Sequence, residues 1–343
     1  MIGQEEKDAV MRVMNRGVLS GYQANWTHFN GGEEIQALEK EWAEYFGAKH
    51  AIACNSATSG LWLACAAIGI AGDGEYEDSW PNDEVIVTPF SMTCSASMPL
   101  LFGATPVFAD IEKDYFCLDP EEVEKKITRN TKAIIAVDIF GQPYSEEIDI
   151  LADKYNLYVI EDAAQAAGAK RNGKHCGTLG HIGVYSLNVH KPIQCGEGGM
   201  VVTDDDDLAF KIRLLMNHSE SVVNDMIHKN IPTLKSITEL VGMNLRMTEL
   251  SAAIAREQLK KLDGIVKQAQ EQAKQFDIKI RPGCTSAFYK YAWVGDMVKT
   301  DMNIKRHYID PIYQMPLFKR LNYEQNQCPV CEDVNENIVL AWI

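Results

Sequence analysis

The sequence predicts an α/β protein built on a mostly parallel sheet covered by helices, followed by a smaller α+β region. Three observations lead there. Short apolar runs rich in β-formers recur between His50 and Thr203. Helical patterns separate several of them, which implies parallel strands joined by crossover helices. After Thr203 the pattern turns helical, and beyond about Phe276 it becomes short and mixed.

Taken in order, the stretch up to Gly32 reads as an irregular arm. Glu33 to Tyr45 carries Ile35, Leu38, Trp42 and Tyr45 on one helical face, and Gly47 closes it. His50–Cys54 reads as a buried strand, Asn55–Ser59 as a polar turn rich in capping residues, and Gly60–Ile70 as an apolar helix. Glu84–Thr88 predicts a strand, Phe90–Met98 a helix and Thr105–Ala109 another strand. Thr131–Val137, Leu157–Ile160, Gly183–Ser186 and Gly199–Thr203 predict further strands, and Ser145–Tyr155 a helix. The acidic run Asp204–Asp207 reads as a solvated turn. Helices are expected over Leu208–Met216 and, as one long element, Thr248–Ala269. The expected division is a large domain over residues 1–240, with an arm at 1–32, and a linking helix plus small domain over 241–343.

Composition narrows the function classes. With 46% hydrophobic residues the chain can build a sizeable core. Its formal charge of −15 repels phosphate backbones, so nucleic acid is not expected as a partner. An anionic substrate would need a locally positive site. The nine cysteines are irregularly spaced. Cys54, Cys65, Cys94, Cys117 and Cys195 read as buried thiols, and Cys328-Pro-Val-Cys331 is a lone pair without the second pair a zinc site needs. No metal is expected. There is no long uncharged apolar run and no signal-like start, so a protein free of the membrane and located in the cytoplasm is expected.

In a parallel sheet, ligands bind beyond the carboxyl ends of strands. Four features fall there. Asp162 ends the run Val159-Ile-Glu-Asp162, where a carboxylate either faces a ligand or caps a helix. Lys191 follows the strand ending at Ser186 and precedes the glycine cluster Gly196-Glu-Gly-Gly199. It is either a surface lysine or a semi-buried amine nucleophile. Ser56-Ala-Thr-Ser-Gly60 is an N-cap cluster that doubles as an anion cradle. Ser186 is a second hydroxyl within reach of the same anion, or a plain strand-end serine. A phosphate cradle, a carboxylate and a later lysine, in that order, are what pyridoxal phosphate (PLP) needs. A nicotinamide-binding fold is disfavoured, because no G-x-G-x-x-G follows the first strand.

Several ordered motifs then carry a resemblance. Gly32–Tyr45, Ser56–Leu61, Gly103–Asp110, Glu161-Asp-Ala-Ala-Gln-Ala166, His190-Lys-Pro-Ile-Gln-Cys-Gly-Glu-Gly-Gly199, Asn217-His218 and Gly242-Met-Asn-Leu-Arg-Met-Thr-Glu249 resemble the DegT/DnrJ/EryC1/StrS family of PLP-dependent sugar aminotransferases. The resemblance implies a fold-type I transferase. It implies a keto-sugar acceptor, nucleotide-linked, an amino-acid donor such as glutamate, and a homodimer with shared active sites. By the same resemblance Lys191 holds the cofactor through its amine and Asp162 pairs with the ring nitrogen. Gln165 lies near the ring hydroxyl, Thr58, Ser59 and Ser186 hold the phosphate, and Asn244 reaches the neighbouring subunit's cofactor. Many members place an aromatic over the ring where this chain has Met92, whose thioether can pack on a ring face. The family's first turn glycine is Ala57 here, which a negative φ tolerates. Relatives that dehydrate sugars carry histidine at the lysine position. Here His190 is only adjacent and Lys191 fills the position, which favours transfer. Lys290, Arg281 and Arg246 are candidate phosphate contacts, each with an ordinary structural alternative. Phe288–Tyr291 and His307–Tyr313 resemble segments that family members space farther apart, and the chain stops at Ile343 short of the usual end. Either the C-terminal domain is shortened or the sequence is truncated; the first brings a second reading, a member that binds PLP but has lost or altered its activity.

Overall fold

A computed structural model describes residues 2–70, 83–298, 300–324 and 326–342; Ile343 lies outside them. The chain opens with helix α1 (Gln4–Arg16) and α2 (Glu33–Phe46). Strand β1 (His50–Cys54) leads through a tight turn into α3 (Ala57–Ala67). Then come β2 (Glu84–Val87), α4 (Cys94–Leu100), β3 (Thr105–Phe108), β4 (Thr131–Val137), α5 (Glu147–Tyr155) and β5 (Tyr158–Asp162). Strands β6 (Ile182–Ser186) and β7 (Gly199–Thr203) complete the sheet, followed by α6 (Asp206–Met216).

The seven strands lie in the order β1-β7-β6-β5-β4-β2-β3. Strand β7 runs antiparallel to both neighbours, and all other pairings are parallel. All seven predicted strands are present within a residue or two. The four central ones are buried almost throughout, which is why they read as continuous apolar runs rather than alternating ones. Helix α3 crosses the sheet with Gly60 against it: a Cβ there would sit 2.7 Å from Val184 Cγ1 and 3.1 Å from Val201 Cγ2. On the outer side Trp42 is fully buried against Phe46 and Tyr185, at 4.8 and 5.3 Å between ring centroids.

Four expectations are corrected. The arm is not irregular throughout: α1 buries Ala9 and Val13 and ends on Gly17 in the left-handed region, φ 75°. The helix expected from Gly60 starts at Ala57, because Ser56 is its cap and accepts a hydrogen bond from Ser59 N at 3.1 Å. The acidic run is more than a solvated turn. Asp205 caps α6 by accepting from Leu208 N at 2.9 Å, while Asp206 takes Lys49 and His50, both at 2.7 Å. The single helix expected from Thr248 is two, α7 (Glu249–Leu259) and α8 (Leu262–Ala273). They break where Lys261 N bonds back only three residues, to Gln258 O, and Lys261 Nζ meets the buried Glu6 at 2.5 Å.

A second, three-stranded antiparallel sheet follows, with β10 (Ile338–Trp342) between β8 (Tyr291–Val294) and β9 (Asn303–Arg306). It packs Tyr291, Trp293 and Val339 against Phe276 and the end of α8. Helix α9 (Pro329–Asn337) starts at Cys328 and Cys331, both free and buried, and Asp110 at the end of β3 accepts from Val330 N and Cys331 N, each at 2.8 Å. That pair of cysteines thus sits at a helix start tied to the main sheet.

Glu249 joins the first layer together. Its buried carboxylate accepts from Glu34 N (3.0 Å) and Ile35 N (3.2 Å) at the start of α2 and from Arg16 Nη2 (2.9 Å) of α1. Removing it orphans two buried N–H groups and a guanidinium. Glu249→Ala is therefore expected to lower unfolding free energy by about 3–5 kcal/mol in denaturant titration.

Candidate active site

The carboxyl ends of β1, β5 and β6 meet at one edge of the sheet. The register pairs Asp162 with Val184, and Gly199 with both Ser186 and Cys54. This brings the four predicted features together. Asp162 is buried at the end of β5. Its Oδ2 accepts from Ser95 Oγ at 2.9 Å and its Oδ1 from Ala164 N at 3.2 Å. No helix follows, so the capping alternative falls away. Burial pushes the Asp162 carboxyl up, while the Ser95 and Ala164 bonds and the charge of Lys191 oppose that.

The phosphate cradle is the turn Ser56–Ser59. Gly199 presses on it so closely that a Cβ would sit 2.5 Å from Ser56 C and 2.7 Å from Ala57 N. Only glycine fits there. Ala57 begins the helix, so the negative φ that its replacement of glycine requires is met. Ser59 N is taken by the Ser56 cap, and the Ser56 and Ser59 hydroxyls lie 3.0 Å apart. The donors left for an anion are the first N–H groups of the helix and the hydroxyls of Thr58 and Ser186. Thr58 is exposed, whereas Ser186 is buried at the end of β6, where its Oγ accepts from Asn188 N at 3.3 Å.

Lys191 sits on a tight loop. Val189 N bonds to Gly196 O (3.0 Å), Leu187 N to Gly198 O (2.9 Å) and Lys191 N to Asn188 O (2.9 Å), while Asn188 Nδ2 holds Glu197 (2.9 Å). The loop turns its amine inward, to 4.3 Å from the centroid of the Tyr289 ring. No carboxylate among the described residues forms an ion pair with it. Loss of water lowers its pKa from near 10.5 to about 8, and Asp162 only partly offsets this. The surface-lysine alternative does not describe such a group.

Gln165 is buried. Its Oε1 accepts from Phe140 N at 2.8 Å and its Nε2 donates to Tyr308 OH at 3.5 Å. Met92 is 54% exposed, and its carbonyl accepts from Ser95 N at 3.3 Å; Asn244 is exposed and bridges to Asn217. Arg281 is committed elsewhere, gripping Glu112 with both nitrogens and lying 4.3 Å over the Tyr115 ring.

Three features were missed from sequence. Cys94 lies among Thr58, Asp162 and Lys191, its thiol pushed up to about 11 by burial and by the charge of Asp162. Tyr289 and Tyr308 arrive from the C-terminal region, inside motifs to which no role was given. The third lies on the opposite face of β5, where Glu161, Asp138 and Cys176 bring potential ligand atoms within 4.8 Å of one another. Both Glu161 oxygens already accept backbone N–H groups, from Gly177 (2.6 Å), Leu179 (2.7 Å) and Gly180 (3.1 Å). Burial and the charge of Glu161 hold Asp138 well above the ordinary carboxyl range. Burial raises Glu161 as well, against its hydrogen bonds, so the cluster is a pair of carboxyls crowded in a site shielded from water.

A cleft of about 760 Å³ opens beside Lys191, with Gln268, Tyr289, Lys290, Lys305 and Trp342 on its wall. A shielded amine, a buried carboxylate and a helix start fit PLP: the first can hold its aldehyde carbon, the second its ring nitrogen, the third its phosphate.

Comparison with known proteins points the same way. Residues 4–282 match the model of the DegT/DnrJ/EryC1/StrS aminotransferase family. The chain is 34% identical over 300 residues to the spore coat polysaccharide biosynthesis protein SpsC of Bacillus subtilis, covering 85% of this chain and 72% of that protein. It is 39% identical over 259 residues to the GDP-perosamine synthase of Caulobacter vibrioides, covering 75% and 62%. Among solved structures, an aminotransferase from Psychrobacter cryohalolentis superposes with a TM-score of 0.85 at 29% identity, over 100% of this chain and 92% of that one.

Only the neutral amine of Lys191 attacks an aldehyde, so condensation of the apoprotein with PLP is expected to accelerate as pH rises and to level off above about 8. Stopped-flow absorbance across pH 6–11 checks this; a midpoint near 10.5 would mean a solvated lysine.

Proposed function

The chain belongs to the DegT/DnrJ/EryC1/StrS family of PLP-dependent sugar aminotransferases, and from that premise we propose that it moves the amino group of glutamate onto a nucleotide-linked keto-sugar. The observation that carries this reading is Lys191: an amine shielded from water, without a carboxylate partner among the described residues, facing a buried Asp162 across one sheet edge. When bound, PLP supplies an aldehyde that exchanges amines and a ring that takes up electrons from the reacting carbon.

The protein's own groups divide the remaining work. Lys191 would hold the cofactor and, when its amine is free, would take a proton at Nζ from the substrate carbon and return it. Its pKa of about 8 suits both roles, since near neutral pH it can take and return a proton with little driving force either way. Asp162, its carboxylate fixed by Ser95, would pair with the ring nitrogen and keep it protonated. The start of α3, with the hydroxyls of Thr58 and Ser186, would anchor the phosphate, while Ser59 is engaged by the Ser56 cap. Gln165, held by Phe140 N, orients the ring's hydroxyl side, and Met92 covers a ring face. Asn244 serves the neighbouring subunit's site in a homodimer. Exposed apolar side chains around the site support that pairing, with Met92, Val189, Val241 and Met243 at 54, 52, 76 and 46% exposure. Among the described residues, no helix is long and apolar enough to cross a membrane, and a cytoplasmic location agrees with free cysteines throughout.

Incubation of the PLP-loaded protein with ¹⁵N-glutamate and a panel of nucleotide-linked keto-sugars tests the reading. Mass spectrometry should find one ¹⁵N in the sugar and an equal yield of 2-oxoglutarate, both abolished in Lys191→Ala. Conversion of glutamate without label in any sugar would contradict the acceptor; no conversion would favour the reading in which activity has been lost.

A further inference from the structure

Tyr308 reaches the site from the C-terminal region, and packing alone does not account for its hydroxyl. The ring stands edge-on to Phe90 and Phe140, at 5.3 and 4.9 Å between centroids. A phenylalanine would fill that aromatic cluster equally well. The hydroxyl goes further, to 3.5 Å from Gln165 Nε2.

These contacts fix which way round the Gln165 amide lies. Phe140 N donates at 2.8 Å and so requires the amide oxygen to face it. The amide nitrogen must then face Tyr308, whose oxygen accepts. One N–H of Gln165 is used in this way. The second has no acceptor among the described residues, and neither has the proton of Tyr308. Loss of water pushes the Tyr308 hydroxyl well above the usual phenol range; the Gln165 bond opposes this, while Tyr289, Asp162 and Cys94 add to it. Gln165 therefore meets a neutral oxygen.

Both ends of the arrangement are backbone positions that bulky residues rarely occupy. Phe140 has φ 56° and His307, beside Tyr308, has φ 65°. Such positions cost about 1–3 kcal/mol each and persist only where the surroundings enforce them. On the C-terminal side they are enforced from α9. Tyr308 N donates to Asn335 Oδ1 at 3.3 Å, and Asn335 Nδ2 lies 3.1 Å from His307 Nδ1.

We propose that Tyr308 is a positioning residue for the cofactor: through its hydroxyl it holds the Gln165 amide so that the free N–H is presented to the ring's hydroxyl oxygen. This rests on the PLP reading and adds to it the residue by which the C-terminal region acts on the cofactor's acidity. A donor at that oxygen favours the state in which the oxygen's negative charge is uncompensated, after the proton beside it has left. With the donor in place, the visible band of cofactor bound through Lys191 titrates at lower pH. Without the Tyr308 hydroxyl the amide turns more freely, and the band titrates at higher pH.

Spectrophotometric pH titration of the PLP-loaded protein tests this. Tyr308→Phe should still bind PLP through Lys191, with a band that titrates about 0.5–1 pH unit above wild type, the size of one lost hydrogen bond. Gln165→Ala should raise the midpoint at least as far, and adding Tyr308→Phe to it should change nothing more. Tyr313→Phe removes a hydroxyl bonded to Glu332 in the same region and should keep the wild-type midpoint. The midpoint is read only on protein that has bound cofactor, so a loss of folded protein does not imitate the shift. An unmoved midpoint in Tyr308→Phe would overturn the proposal. A shift that persists in the Gln165→Ala background would also overturn it, since Tyr308 would then act without Gln165. An equal shift in Tyr313→Phe would reduce the effect to a general loosening of the C-terminal region. If wild type forms no visible band, the PLP reading fails and this inference with it. If wild type forms one and Tyr308→Phe titrates with it, only the role of Tyr308 fails.

Discussion

Shielding Lys191 from water costs its ammonium form more than Asp162 gives back, and the rest of the site is arranged around that imbalance. The loop from Leu187 to Gly198 bonds to itself so that the amine points inward, and Gly199, the next residue, lets β7 close on the start of α3. A side chain at Gly199 would drive the cradle away from the strand that follows the lysine. Lysine loop and cradle are thus coupled through one point of backbone contact. Asp162 belongs to the same frame, because Asp138 N donates to its carbonyl (3.1 Å) from the neighbouring strand.

Strand β5 divides its two acids between the two faces of the sheet, as alternation demands. Glu161 accepts from the backbone N–H groups of Gly177, Leu179 and Gly180, and so ties that turn beneath the sheet. Asp162 faces Ser95 and, more distantly, Lys191. Adjacent carboxyls therefore serve different ends: one fixes structure, the other remains available to a ligand's ring.

What could be read in the sequence followed from how each signal arises. The sheet was legible because buried strands are short apolar runs bounded by turns, and the site because strand ends followed by Asp162, Lys191 and a capped turn keep their chemistry in local order. Helix α1 was overlooked although Ala9, Val13 and Gly17 marked it, because its polar face dominates the composition. The break at Lys261 was not legible, since it depends on Glu6, more than 250 residues away. Cys94, Tyr289 and Tyr308 escaped for the same reason: only the fold carries them to Asp162 and Lys191. The Asp138–Glu161 pair was invisible because like charges placed together by neighbouring strands leave no pattern along the chain.

The central claim, that Lys191 is the amine that holds PLP and exchanges it with a donor, is tested most directly by the visible absorption spectrum. Purified wild type and Lys191→Ala should be compared with PLP, before and after glutamate. The account predicts a visible band that requires Lys191 and bleaches on adding glutamate. Absence of any band in folded wild type, or the same band in the Lys191→Ala protein, would contradict it.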